Sequence, residues 1–126
     1  MKDDAQSALA AGAVLIVDDE PDFRFLLRTT LELAGYAVIE ASHGAAALES
    51  VRESHPALVI TDRMMPRMDG GELIQRLRAD VSTLAIPIVM LTGTNGAQPG
   101  ADAVLSKPFE PHALIELVSR LIEGER

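Results

Sequence analysis

Three carboxylates, a hydroxyl and an amine stand where they can act as one chemical unit. Asp18 and Asp19 close one apolar run, Asp62 closes another, Thr92 ends a third, and Lys107 follows a fourth. Carboxylates forced together repel, so such a cluster is stable only if one is protonated or a hard divalent cation neutralises them. An octahedral magnesium ion, held by one or two carboxylates, a backbone carbonyl and waters, suits that inventory. Lys107 adds a point charge, Thr92 a donor on a short stem, and Gly93 leaves room beside it. With the cation, these groups would stabilise the equatorial oxygens of a phosphoryl group passing to Asp62, and an ionised aspartate needs no general base to act as nucleophile.

The elements that must position these groups alternate along the whole chain. Ala13 to Val17, Ala37 to Glu40, Ala57 to Thr61, Ile86 to Leu91 and Ala103 to Leu105 are short apolar runs that read as strands. Between them Phe23, Leu27, Thr30, Leu31 and Ala34 recur at helical spacing, with Pro21 in the first turn and Gly35 as the stop. Weaker helical patterns run from Ala45 to Ser54 and from Gly71 to Ala79, and Leu114, Leu117, Val118, Leu121 and Ile122 form the cleanest amphipathic stripe. Alternating strands and helices predict a parallel sheet covered on both faces, and in such sheets ligands bind at the carboxyl ends of the strands. That rule sends all five chemical residues to one edge.

Composition narrows the classes further. The chain has 126 residues, enough for one domain, and a net charge of −8, which argues against direct binding to nucleic acid or to anionic membranes. With no cysteine there is no disulfide framework, thiolate metal site or cysteine nucleophile. Residues 1–12 read as a flexible Ala-rich leader and residues 13–123 as the folded domain. The uncharged stretch from Ala8 to Val17 is too short to span a bilayer and lacks a positive start, so a soluble, cytoplasmic protein is expected.

Four motifs in this order carry a resemblance. Asp18-Asp19-Glu20, Asp62-x-x-Met65-Pro66-x-Met68-Asp69-Gly70, Leu91-Thr92-Gly93 and Ser106-Lys107-Pro108-Phe109 are together similar to the receiver domain of two-component response regulators, from about Val14 to Ile122. The resemblance implies a flavodoxin-like, doubly wound five-stranded parallel sheet of order 2-1-3-4-5 and phosphorylation of an aspartate with magnesium. The phosphodonor it implies is a histidine kinase or phosphotransfer protein. Carried onto this chain, Asp62 is the phosphoacceptor, Asp19 a direct metal ligand, Asp18 a ligand through water, and the Met64 carbonyl the remaining protein ligand. Thr92 and Lys107 contact the phosphoryl oxygens, and Lys107–Pro108 is a candidate cis peptide. The protein would catalyse only phosphorylation and dephosphorylation of its own aspartate, and would pass the signal to an unidentified protein partner as a monomer.

Two features depart from the resemblance. Receivers usually carry an aromatic residue three positions before the lysine, where this chain has Val104. The stretch between Thr92 and Lys107 is short and rich in residues that disfavour helix interiors, Gly96, Pro99 and Gly100 among them, so the fourth helix is expected to be reduced or absent. A receiver-like interaction module uncoupled from phosphate is therefore the alternative. An aspartate-nucleophile phosphatase ranks below both, because it would want an acid where Met64 stands. Other residues have plainer readings: Asp69 as a turn and helix-start residue, Met65 and Met68 as loop packing, Arg63 and Arg67 as surface arginines, and His43, His55 and His112 as surface histidines without ligand spacing. Helix capping explains Asp19 alone but not the three acids together.

Overall fold

The computed structural model describes residues 12–94 and 96–124. The expected leader over residues 1–12 therefore falls almost wholly outside the described residues. Five strands, β1 (Val14–Val17), β2 (Val38–Ala41), β3 (Leu58–Asp62), β4 (Ile88–Thr92) and β5 (Ala103–Ser106), alternate with helices α1 (Pro21–Leu33), α2 (Gly44–Ser54), α3 (Gly70–Arg78) and α4 (Pro111–Ile122). All strands pair in parallel, in the order β2-β1-β3-β4-β5. Every residue of β1, β3 and β4 is buried, which is why these strands read as unbroken apolar runs rather than as alternating ones.

The two faces of the sheet hold separate cores. Ile16, Ile60 and Leu91 pack with Leu27 and Leu31 of α1 and with Leu114, Val118 and Leu121 of α4. Leu15, Val59 and Met90 pack on the opposite side with Ala47 and Val51 of α2 and with Leu73, Ile74 and Leu77 of α3. No helix among the described residues is long and apolar enough to cross a membrane.

Among the described residues four helices form, the last a full 12 residues started by Pro111 at its first turn and held by its buried stripe, while the stretch between Thr92 and Lys107, where a helix is expected to be reduced or absent, shows none among its described residues. Between β4 and β5 the described residues run through bends and a turn. This connection lies on the end of α3: Gly100, at φ +88°, sits so close to Ile74 that a Cβ there would meet the Ile74 side chain at 2.8 Å. Arg78 ties it down, donating to the Gly100 carbonyl at 2.8 Å and the Asp102 carboxylate at 2.8 Å, and also holds the loop that leads from α3 to β4 through the carbonyls of Leu84 at 2.6 Å and Ile86 at 2.8 Å.

Candidate functional site

Strand register brings the distant chemical residues to one rim. Val17 is level with Thr61, Asp62 with Leu91, and Thr92 with Ser106, so the residues at and just past the strand ends converge. They surround a cleft of about 470 Å³ lined by Asp18, Asp19, Glu20, Phe23, Asp62, Met64 and Lys107. A second cleft, between Arg52 of α2 and Arg76 of α3, holds none of the predicted groups.

Carboxylate oxygens of Asp18, Asp19 and Asp62 lie within 4.8 Å of one another. Asp18 is only 2% exposed and Asp62 9%, whereas Asp19 faces solvent. One Asp18 oxygen, Oδ1, accepts from the Glu20 amide at 2.8 Å, but Oδ2 is buried with no hydrogen-bond partner among the described residues. Burial pushes the Asp18 carboxyl above the usual carboxylate range, and the charges of Asp62 and Asp19 push the same way against the Glu20 amide and Lys107. A buried oxygen without a donor, among three acids, calls for a proton or a cation, so the donor set fits a hard divalent ion.

On the other side of Asp62, the Lys107 ammonium lies 2.5 Å from Oδ1. The Lys107 amide donates to the Thr92 carbonyl at 2.7 Å, which fixes the root of that side chain against the end of β4. The Lys107–Pro108 peptide is cis, as expected. The Thr92 hydroxyl is buried and engaged with Thr94, 3.2 Å from its hydroxyl and accepting from its amide at 3.2 Å. Val104 is half-buried on the face that carries α3.

The loop from β3 to α3 is held by its backbone. Gly70 packs so closely on β3 that a Cβ would lie 2.3 Å from the Asp62 carbonyl, so this position admits only glycine without a shift of the strand end. Asp69 caps α3, its side chain accepting from the Glu72 amide at 2.9 Å, as its turn reading predicted. Met65 is buried and Met68 packs on Gly44, while Met64 is 76% exposed at the cleft. All three histidines are exposed, and His43 does more than its surface reading allowed: its Nδ1 accepts from the Ala46 amide and caps α2.

Two positioning residues were not legible in the sequence. Arg24 of α1 donates to the Asp18 carbonyl at 2.7 Å and is itself held by Glu40 of β2 at 2.9 Å. The Arg28 guanidinium also pairs with Glu40 and holds that carboxyl below its usual range. Nothing in the spacing of Asp18, Arg24 and Glu40 announces this chain of contacts, which depends on β2 lying beside β1. Phe23, at a core position of α1 by its spacing, packs against the core on the α1 and α4 side and also lines the cleft.

Known proteins match both the chain and its fold. The family model for the response regulator receiver domain matches residues 14–119. The chain is 40% identical over 115 residues to the phosphate regulon transcriptional regulatory protein PhoB of Pseudomonas aeruginosa, covering 86% of this chain and 49% of that protein. It is 42% identical over 108 residues to the probable transcriptional regulator ycf27 of Porphyra purpurea, covering 80% and 43%. The chain thus spans about half the length of the curated relatives it matches. Among solved structures, a putative response regulator from Chloroflexus aurantiacus superposes with a TM-score of 0.84 at 34% identity, over 89% of this chain and 98% of that one. With the family match spanning its sheet and all four helices almost to the end, and with three acids and a lysine gathered at one rim, the chain belongs to the response regulator receiver domains of two-component signalling.

Proposed function

We propose that Asp62 is the phosphoacceptor of this receiver and that a histidine kinase or phosphotransfer protein supplies the phosphoryl group. The observation that carries this reading is the setting of Asp62, with Asp18 and Asp19 on one side and the Lys107 ammonium on the other. In the transfer, an Asp62 oxygen attacks phosphorus, the phosphorus–nitrogen bond of the donor breaks, and the imidazole leaves with a proton. Asp18, Asp19, Asp62 and the Met64 carbonyl would hold the magnesium ion, which when bound supplies positive charge to the phosphoryl oxygens. Lys107 moves its charge from the Asp62 carboxylate to the transferred group. Thr92 donates its hydroxyl there, giving up its bonds to Thr94.

That exchange at Thr92 is how the proposed switch reaches the rest of the molecule. Its partner Thr94 opens the connection between β4 and β5, so the connection senses phosphate although position 104 carries no aromatic ring. The chain acts on no separate substrate in this reading, works in the cytoplasm without touching nucleic acid or membrane itself, and hands the signal to a protein. With acetyl phosphate and magnesium, intact-mass measurement should find one added phosphoryl group per chain, and Asp62→Asn should find none. Amides around Asp62, Thr92, Lys107 and the 94–100 connection should shift together. A wild-type chain that gains no mass and shows no amide response refutes the proposal in favour of a phosphate-uncoupled interaction module.

A further inference from the structure

We infer that Phe23 is a positioning residue for phosphoryl transfer, its ring forming an apolar rest on which the Lys107 ammonium travels between Asp62 and the transferred group. The inference deepens the phosphorylation reading above and rests on it. Lys107 Nζ stands 4.3 Å from the centre of the Phe23 ring, over its face, while also touching Asp62. Phe109 braces the ring edge-on, with centroids 6.2 Å apart and planes at 77°. Phe109 belongs to the same segment as Lys107, so α1 and the turn after β5 are joined at the ammonium itself.

The geometry matters because of what a ring face offers a cation. A lysine side chain is a flexible stem, and fixing its end costs conformational entropy. An aromatic face attracts the charge through its quadrupole but presents no hydrogen-bond acceptor. Held this way, the ammonium keeps its N–H donors free for oxygen, first on the Asp62 carboxylate and then on the phosphoryl group. A polar neighbour would hold the ammonium equally well but would compete for those donors. A merely apolar one would exclude water without attracting the charge. Because α1 leads from the acids and the Phe109 segment leads from the lysine, the ring also couples the two halves of the site.

The chain has only two lysines, Lys2 and Lys107, so lysine-selective isotope labelling yields two side-chain signals, assigned with Lys2→Arg. In the wild type the ε-methylene protons of Lys107 should lie upfield, shielded by the ring, and Phe23→Leu should return them to the value of an unshielded lysine. Phosphorylation by acetyl phosphate at saturating magnesium should slow by about threefold to tenfold in Phe23→Leu, the range expected for a partly exposed cation–ring contact, and Phe23→Tyr should restore both shift and rate. Pentafluorophenylalanine in place of Phe23 keeps the shape of the ring while reversing its quadrupole. It should slow transfer with the melting temperature unchanged, which keeps the test decisive even if Phe23→Leu folds poorly.

An unshielded Lys107 in a wild type that does take up phosphate overturns the role of Phe23 and leaves the phosphorylation reading standing. Wild-type rates in both the leucine and the pentafluoro proteins overturn it equally. A shielded Lys107 in a chain that never takes up phosphate overturns both readings, because the contact would then serve no transfer.

Discussion

Asp18 carries a charge that its surroundings oppose. Burial raises its carboxyl above the usual range, and one of its oxygens has no donor among the described residues. Since the folded carboxyl holds its proton to higher pH than the unfolded one, the stability this brings is fully present below the ordinary carboxylate range and is lost as pH rises through the raised value. Cation-free protein should therefore lose stability through Asp18 as pH climbs from about 4, the usual carboxylate value, through the raised one. Glu40, lowered by Arg28, acts in the opposite sense: its contribution is present above the ordinary range and is lost as pH falls through the lowered value. Comparing wild type with Asp18→Asn cancels Glu40. Thermal unfolding in chelator should find the variant more stable near neutrality by roughly 1–3 kcal/mol, and its divalent affinity weaker. Identical pH profiles for the two proteins would contradict this account of Asp18.

At the scale of elements, the connection between β4 and β5 is organised by one side chain from a helix it does not belong to. Arg78 satisfies three carbonyls and the Asp102 carboxylate, and the same Asp102 oxygen accepts from the Ile88 amide at 2.8 Å, where β4 begins. Removing the guanidinium strips donors from several acceptors at once. Arg78→Ala should destabilise the fold by about 2–3 kcal/mol, a figure held down by the partial exposure of the pair. Hydrogen exchange across 96–102 should quicken more than elsewhere. Arg78→Lys should rescue little, because one ammonium cannot reproduce a planar fork of donors. If denaturant titration gives all three proteins the same midpoint, the connection is held by something other than Arg78.

For the molecule as a whole, folding itself assembles the charge cluster. A chain of net charge −8 brings three of its acids within 4.8 Å at the rim of a sheet whose strands their flanking residues build. An ion that binds only the assembled cluster must then stabilise the fold, by about 2.7 kcal/mol at a hundredfold excess over its dissociation constant. Magnesium should raise the melting temperature of the wild type, less so as sodium chloride screens the cluster, and should leave Asp19→Asn nearly unmoved. Equal responses in the two proteins, or none in either, would remove the divalent ion from the proposal.

What sequence alone determined was the periodic part of the molecule and the identity of its rim. Unbroken apolar runs mark β1, β3 and β4 because strands buried on both faces have no polar side to display, and the rule for strand ends then gathers Asp18, Asp19, Asp62 and Lys107 at one rim. The capping role of Asp69 was equally legible, because it depends on residues only three positions apart. The rest belonged to tertiary structure. The Arg24–Glu40 tie to Asp18, the hold of Arg78 on a connection some twenty residues away, and the Phe23 ring over Lys107 all join side chains from elements whose adjacency exists only after the sheet has ordered itself. Local periodicity records which way a side chain faces, inward or outward. Which partner waits there is decided by the packing of distant elements, and no short-range pattern encodes it.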